Sequence, residues 1–384
     1  MISPFILNDK NLFLDRFPVG QVNRSLQAWD AADEYIINYV NDNQLIATHK
    51  NILIFNDAFG ALTANLTHHN VFCINDSYIS QQGIKLNVEQ NHLDENAVTY
   101  LTSIDELPDN IDLILYKIPK SKSLLIDQLI QIHTKYSETT QFIAADRAKE
   151  IHSSTLKVFE KYLGPTKTSL AVKKARLVFS EIKSDMALPS PFPTCWEMPS
   201  NKNKEKQFVI SNHSNVSARE KLDIGARYFI ENLPQIKPGT SVIDLGCGNG
   251  VIGLTVLDQQ PDVDLQFFDE SYMALNSAEE NIKTNFPDLL NVCTFTINDS
   301  LSGVEGASVD LILCNPPFHQ QTATTDHIAW QMFKDSHRVL KKGGELRIIG
   351  NRQMAYHIKL QRIFGNEKLI ASNEKFVTTM AIKR

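Results

Sequence analysis

The sequence lacks long apolar runs and has no basic segment ahead of an apolar stretch at its start. None of the apolar segments in its 384 residues approaches the roughly 20 residues that span a bilayer, which excludes a transmembrane helix. Residues 1–9 lack the basic opening of a secretory signal, so we expect no export. These absences predict a globular protein without a membrane partner.

Cysteine is scarce, and its positions form no pattern. The five residues are odd in number, widely scattered and without C-x-x-C spacing: Cys73, Cys195, Cys247, Cys293 and Cys314. Such a distribution predicts reduced thiols in a cytoplasmic protein and no structural zinc site. We therefore expect no metal, and no obligate protein partner is evident.

Positive charge is in deficit overall, since the net charge is −6, yet it is locally concentrated. Residues 151–250 carry 14 basic against nine acidic side chains, between more acidic blocks on both sides. A basic band of this kind is either a footprint for a polyanion or the solvated charge of a linker. Composition leaves both interpretations open.

Prolines mark a boundary near the middle of the chain. Pro189, Pro191, Pro193 and Pro199 lie in a stretch without helical or strand period, which predicts a connector. A chain of this length also favours two domains. We expect domains at 1–185 and 207–384, joined by a linker at 186–206.

The second half alternates strands and helices. Ser241–Leu245, Leu265–Phe268 and Val309–Cys314 are predicted strands, and helical spacing follows the first two. A helix is also predicted over about Ile328–Leu340, with Gly343 and Gly344 as the residues that terminate it. Short connections between such elements predict a doubly wound α/β fold with a mostly parallel sheet.

The first half repeats this order with recognisable residues. Asn51–Phe55 leads into Gly60 as Ser241–Leu245 leads into Gly250. Further matches follow in the same order: Asn87 and Asn91 with Asn281 and Asn285, Asp112 with Asp310, Arg147 with Arg352 and His152 with His357. The series predicts a duplicated domain, and the alternative is coincidence between common α/β patterns.

A glycine-rich turn after the first strand of the second half predicts a ligand site: Asp244, Gly246, Cys247, Gly248 and Gly250. The turn lacks the third glycine of a dinucleotide fingerprint, and Asp244 would repel a pyrophosphate but suit a cation such as S-adenosylmethionine. Asp269, at the tip of the next strand, is placed for ribose hydroxyls. Asn298 and Asp299 follow a further predicted strand, Cys293–Ile297, where Asp299 would meet the adenine edge. The alternative is a bare glycine turn.

A second motif, Asn315-Pro316-Pro317-Phe318, ends a strand at the edge where ligands bind in such folds. The Asn315 side-chain oxygen and the Pro316 carbonyl can accept both hydrogens of an amino group, while Pro317 stiffens the backbone. Phe318 offers a stacking face for a base. The pattern therefore predicts methyl transfer to an amine, against the alternative of a plain proline turn.

Together these motifs resemble the class I S-adenosylmethionine-dependent methyltransferases that act on amino groups. The segment Leu222–Arg227 and the duplicated first half are similar to the bacterial ribosomal RNA guanine-N2 methyltransferases, and 26–35 and 56–60 are similar to those acting on the large subunit. The resemblance implies two tandem Rossmann-like domains and methylation of the N2 amine of a guanine in 23S ribosomal RNA. Three other targets remain open: 16S ribosomal RNA guanine-N2, protein glutamine-N5 and DNA adenine-N6. A cofactor-binding scaffold without turnover is a further alternative.

The first copy lacks the residues of this chemistry. Ile54 stands opposite Asp244, and Lys117 stands opposite Asn315. We expect a degenerate copy that has lost cofactor and catalysis and helps to hold RNA. The candidates for backbone contacts are Lys117, Lys120, Lys173, Lys174 and Arg176, and solvated surface charge is the alternative.

Overall fold

The structure is a computed structural model, which describes residues 4–7, 10–20, 26–183, 188–317 and 323–384. It divides into an N-terminal unit, Met1–Pro191, and a C-terminal unit, Phe192–Arg384. The division lies inside the predicted linker.

The N-terminal unit alternates strands and helices around one seven-stranded sheet. Its elements are β1 (Phe5–Leu7), β2 (Lys10–Leu12), α1 (Ala31–Asp42), β3 (Asn51–Phe55), α2 (Ala61–Asn65), β4 (Asn70–Asn75), α3 (Tyr78–Gln90), β5 (Val98–Thr102), β6 (Leu113–Lys117), α4 (Lys122–Lys135), β7 (Gln141–Arg147), α5 (Ser153–Tyr162), β8 (Thr166–Thr168) and β9 (Ala175–Ser180).

The C-terminal unit repeats this order. Its elements are β10 (Thr194–Pro199), β11 (Gln207–Asn212), α6 (Ile224–Glu231), β12 (Thr240–Leu245), α7 (Val251–Gln259), β13 (Val263–Asp269), α8 (Tyr272–Asn285), β14 (Cys293–Ile297), β15 (Val309–Cys314), α9 (Ala323–Val339), β16 (Leu340–Asn351), α10 (Tyr356–Phe364), β17 (Lys368–Ser372) and β18 (Phe376–Ile382).

The two sheets have the same strand order. The first runs β5-β4-β3-β6-β7-β9-β8 and the second β14-β13-β12-β15-β16-β18-β17, so every strand has a counterpart. In each sheet the first five strands pair in parallel, and the last two pairings are antiparallel. The prediction of two tandem Rossmann-like domains is confirmed.

Asparagine clamps show the duplication at the level of single side chains. In the C-terminal unit, Asn281 Oδ1 accepts from the Ser211 amide at 2.7 Å and its Nδ2 donates to the Ser211 carbonyl. Asn87 of the N-terminal unit makes the same two bonds with Asp15. The asparagine one turn later repeats the arrangement in both units. In the C-terminal unit α8 thereby holds the segment that precedes α6, and in the N-terminal unit α3 holds the segment that precedes α1.

Three details predicted from the sequence were wrong. The predicted linker contains β10, which pairs with β11 as a hairpin of the C-terminal unit. Gly343, which was predicted to terminate the helix over Ile328–Leu340, lies inside β16, because α9 already ends at Val339 and the strand begins at Leu340. The pairing of Arg147 with Arg352 is shifted by one residue, since Ala148 and Arg352 both begin the short 3-10 turn after their strand. Hydrophobic period does not fix any of these boundaries.

Candidate active site

The glycine turn between β12 and α7 lies at the carboxyl end of the central strand. Gly246, Gly248 and Gly250 all have positive φ angles, of 68°, 55° and 83°, which favour glycine. The Gly246 and Cys247 amides donate to the Phe268 carbonyl, which fixes the turn against the next strand. A Cβ atom built at Gly248 would meet nothing within 4 Å. The turn is therefore rigid on one side and open on the other.

Asp244 lies beneath this turn and is almost completely buried, with 2% of its surface exposed. Its Oδ2 accepts from the Gly253 amide at 2.9 Å, inside the first turn of α7. Burial raises the pKa of Asp244 to about 8. The nearby charge of Asp269 raises this pKa as well, while the hydrogen bond from Gly253 lowers it. A positive group near this carboxyl would be stabilised by its ionised form.

Asp269 joins the turn to the second strand. Its Oδ2 accepts from the Gly248 amide and its Oδ1 from the Ser271 amide, both at 2.9 Å. The side chain is only partly buried, so it can be reached from outside the turn. This geometry is compatible with the predicted role toward a ribose.

Asn298 and Asp299 follow β14, and the structure gives them different surroundings. The Asn298 side chain holds its own loop, because it accepts from the Asp299 amide and donates to the Ser302 carbonyl. Asp299 is 6% exposed and accepts from Gln331 at 3.1 Å. Burial raises the pKa of Asp299, while the Gln331 bond lowers it. Asp299 is thus the better placed of the two for a ligand.

Asn315 directly follows β15, next to the glycine turn. A Cβ at Gly246 would lie 3.8 Å from the Asn315 carbonyl oxygen, so the two predicted motifs meet at one edge of the sheet. Asn315 Oδ1 is buried and has no hydrogen-bond partner in the part of the chain that the structure describes. A buried amide oxygen without a donor is costly and points to an absent ligand. Pro316 is buried and Pro317 exposed, while Phe318 lies outside the described residues.

The equivalent turn of the N-terminal unit is held by hydrogen bonds of its own side chains. Asn56 takes the place of Gly246 with a φ of 63°, and its Nδ2 donates to the Lys117 carbonyl and to Gln128. Asn75, the counterpart of Asp269, donates to the Asp57 carbonyl at 2.8 Å. Side-chain bonds therefore link the counterparts of Gly246 and Asn315 in the N-terminal unit.

Lys117 was wrong as a candidate for RNA contacts. Its ammonium lies 2.8 Å from Asp30 and 2.7 Å from Asp33, with the Lys117 side chain only 13% exposed. Burial opposes the charged form, but Asp33 and Asp30 outweigh it and raise the pKa of Lys117. An ammonium held by two carboxylates is not available to a phosphate.

The other basic candidates lie in the N-terminal unit with different exposure. Lys120 and Lys174 are exposed, and Lys173 is exposed although it pairs with Glu34 at 3.2 Å. Arg176 is half-buried, with a buried Nε that has no partner among the described residues. Lys120 follows β6, and Lys173 and Lys174 precede β9 beside the end of β7, so these three share the carboxyl edge of the sheet.

Sequence reasoning missed the carboxylates that open the first helix of each unit. Asp30 caps α1 and Asp223 caps α6, each by accepting from the backbone amide three residues later. The signal was present in the sequence as an aspartate before the first central strand of both halves. The importance of this aspartate follows from the contact between Asp30 and Lys117, which no sequence pattern shows.

Among the residues that the structure describes, no helix has the length and apolar character to cross a bilayer. In the same residues, no group of three or more His, Cys, Asp or Glu side chains is arranged to hold a metal ion.

The chain is similar to known proteins over its whole length. The RLMG N-terminal domain model matches residues 2–184, and the Methyltransferase small domain model matches residues 207–380. The ribosomal RNA large subunit methyltransferase G of Colwellia psychrerythraea is 69% identical over 100% of both chains. The protein of the same name from Pseudoalteromonas translucida is 48% identical over 98% of this chain and 97% of its own.

A solved structure shares the tandem fold. The T. thermophilus 16S rRNA N2 methyltransferase in complex with AdoMet and guanosine has a TM-score of 0.77, with 15% identity, covering 100% of this chain and 98% of its own. At this identity the likeness shows the fold. The curated relatives carry the assignment further, and the chain belongs to the family of the ribosomal RNA large subunit methyltransferases G.

Proposed function

We propose that this methyltransferase transfers the methyl group of S-adenosylmethionine to the exocyclic N2 amine of one guanine in 23S ribosomal RNA. The names of the curated relatives support the large subunit as the target. The N2 amine is the position that the sequence resemblance implies, and the T. thermophilus neighbour is named as an N2 methyltransferase as well. Such a substrate would place the reaction in the cytoplasm.

The observation that carries the proposal is the unpartnered Asn315 Oδ1 beside the open glycine turn. Within the described residues this buried amide oxygen has no donor, which fits a ligand that brings N–H groups. The 3.8 Å approach of a Gly246 Cβ to the Asn315 carbonyl oxygen joins this acceptor to the proposed cofactor site.

The residues present fit S-adenosylmethionine. The open space above Gly248 accepts a ligand that a side chain would exclude, and Asp269 would hold ribose hydroxyls. Asp299 would meet the adenine edge. Asp244 lies beneath the turn, and a cation bound nearby would favour the ionised form of its carboxyl. The bound cofactor supplies an electrophilic methyl group on a positively charged sulfur.

Asn315 and Pro316 would orient the amine. The amine lone pair of a nucleobase is delocalised into the ring, so the nitrogen is a poor nucleophile. Acceptance of both N–H groups by Asn315 Oδ1 and the Pro316 carbonyl favours a pyramidal nitrogen and directs its lone pair. Phe318 remains the proposed stacking partner for the base.

The N-terminal unit would hold RNA through the exposed lysines at the carboxyl edge of its sheet. Lys120, Lys173 and Lys174 are exposed there, whereas Lys117 is neutralised within the unit. Because the protein carries a net charge of −6, only such local positive surface attracts phosphates at physiological salt. Arg176 is a weaker candidate, since its Nε is buried.

The experiment is radiolabelled methyl transfer to separate pools of 23S RNA, 16S RNA, DNA and protein. We expect label in the 23S pool alone. Transfer to 16S RNA, DNA or protein instead would replace the proposed substrate by that pool, and no transfer to any pool would favour the scaffold without turnover.

A further inference from the structure

The N-terminal unit contains a buried ammonium at the position of the catalytic asparagine. Lys117 directly ends β6, as Asn315 directly follows β15, and the strand registers make the two residues counterparts. The Lys117 ammonium lies 2.8 Å from Asp30 Oδ1. In the degenerate copy, a cationic nitrogen on the residue at the end of this strand therefore lies against the carboxylate that caps the first helix.

Asp223 is the counterpart of Asp30 in the catalytic unit. Both residues cap the helix that precedes the first central strand, and both accept from the amide three residues on. α1 packs against β7 and β9, and α6 packs against their counterparts β16 and β18. Asp223 therefore occupies the same place in the topology of its unit, relative to the end of β15, as Asp30 does relative to the end of β6.

Asparagine is shorter than lysine, so the gap between Asn315 and the carboxylate has room for one nitrogen atom. A lysine side chain extends about 2.5–3 Å further from the backbone than asparagine, because it has two more bonds. With the 2.8 Å between Lys117 and Asp30 added, the same placement in the C-terminal unit would put the amide tip of Asn315 and the Asp223 carboxylate roughly 5–6 Å apart. One nitrogen that donates to both sides, at about 2.9 Å each, fills such a gap.

The state of both acceptors agrees with this geometry. Asn315 Oδ1 is buried without a donor among the described residues. Within the same described part of the chain, the Asp223 carboxylate accepts one hydrogen bond, from the Ala226 amide to Oδ2 at 3.0 Å, and it is only partly buried. The second carboxylate of the N-terminal cluster, Asp33, is replaced by Ala226, so Asp223 supplies the negative charge at this position.

We infer that Asp223 is a further acceptor for the amine that Asn315 holds: its carboxylate lies on the side opposite Asn315 Oδ1 and shares the second N–H with the Pro316 carbonyl. This inference rests on the proposed function, because it takes the amine to be that of the RNA base. As the new N–C bond forms and the methyl leaves sulfur, the nitrogen gains positive charge. The Asp223 carboxylate stabilises this charge and then takes one proton from the methylated nitrogen, which leaves a neutral secondary amine.

The test uses Asp223→Asn in the full chain. Asparagine caps helices as well as aspartate does, so the variant keeps α6 and removes only the charge. We expect the single-turnover rate, at saturating cofactor and RNA, to fall about 10- to 100-fold, as for a lost hydrogen bond to a charged group. Calorimetric affinity for S-adenosylmethionine, filter-binding affinity for 23S RNA and the melting temperature should stay near the wild-type values.

Asp223→Ser provides a second variant that caps the helix without charge, and its rate should fall by the same factor. Asp30→Asn is the matched control, because it makes the same change at the helix cap of the other unit and should keep the wild-type rate. If the wild type and this control transfer no methyl to 23S RNA, the proposed function fails, and the inference fails with it.

Two results would overturn the inference while leaving the proposed function intact. One is a wild-type single-turnover rate for Asp223→Asn. The other is a loss of S-adenosylmethionine affinity with a normal rate at saturating cofactor, which would assign the carboxylate to the cofactor. A parallel fall of rate and melting temperature in both Asp223 variants would also overturn it, since this would show a structural role.

Discussion

Lys117 Nζ lies 2.8 Å from Asp30 Oδ1, at the position where the C-terminal unit carries its amide acceptor Asn315. Among the described residues, the same fold therefore holds a cation of its own in one copy and leaves an acceptor without a donor in the other. Since Asn56 also occupies the place of Gly246, the N-terminal unit has replaced ligand contacts by internal bonds. Its fold is retained because these bonds satisfy the same buried positions.

The first prediction concerns stoichiometry. Calorimetric titration should give one S-adenosylmethionine per chain, because Asn56 and Lys117 replace Gly246 and Asn315 in the N-terminal unit and bond to each other. Asp269→Ala removes the acceptor of the Gly248 amide in the glycine turn and of the Ser271 amide before α8, and it should abolish this binding. A second site of similar affinity that survives in the variant would contradict the degenerate assignment.

The second prediction compares two glycines. Gly248 and Gly239 both have positive φ, 55° and 79°, and a Cβ at either would meet nothing within 4 Å. Gly248→Ala and Gly239→Ala should therefore lose similar stability from the strained φ, about 1 kcal/mol. Only Gly248→Ala should lose cofactor affinity, since its Cβ enters the proposed site. Equal cofactor affinities in the two variants would place the cofactor elsewhere.

The third prediction follows from the buried carboxyl of Asp244. Burial raises its pKa to about 8 from the ordinary value of 3.8, so the folded protein keeps a proton that the unfolded chain has lost between these values. The free energy of unfolding therefore falls as pH rises through this window. Asp244→Asn stays neutral and can still accept from Gly253. We expect the stability of the variant relative to wild type to increase from about pH 5 to pH 8.

Denaturant unfolding at several pH values measures this difference. Asp264→Asn is the control, because it removes an exposed carboxylate from β13 and should follow the wild-type pH dependence. If Asp244→Asn also followed it, the raised pKa of Asp244 would be wrong.

The fourth prediction concerns the basic edge of the N-terminal sheet. The variant Lys120→Glu, Lys173→Glu, Lys174→Glu should bind RNA more weakly, and the slope of log affinity against log salt should fall by about 0.7–0.9 for each phosphate that is no longer bound. Filter binding at several salt concentrations measures both quantities. The control Lys135→Glu, Lys157→Glu, Lys161→Glu changes the net charge equally on exposed helical positions. Equal reductions in both variants would show only the effect of net charge.

The sequence predicted the fold well because its signals are local. The strands around Asp244 and Asn315 are apolar runs that end at turn residues, and the clamp residues Asn87 and Asn281 stand at matching places in the two halves. The registers then bring the glycine turn and Asn315 to one edge, as the doubly wound fold requires.

What the sequence did not predict depends on contacts between distant residues. Lys117 looks like a surface lysine in a loop, and only its ion pairs with Asp30 and Asp33, at the start of α1, show that it is neutralised. β10 has prolines close to both of its ends and was interpreted as linker, because its strand character comes from pairing with β11. Asp223 gains its interest only through comparison with Asp30.

The measurement that tests the proposed reaction most directly is nucleoside analysis of 23S RNA after a single turnover with wild type and Asn315→Ala. We expect N2-methylguanosine from the wild type and at least a roughly 100-fold lower rate from the variant, about the cost of one preorganised stabilising group. Cofactor affinity should be unchanged, and Asn96→Ala, at an exposed position, should behave as wild type. A wild-type rate for Asn315→Ala, or a methyl group on any atom other than a guanine N2, would contradict the proposed reaction.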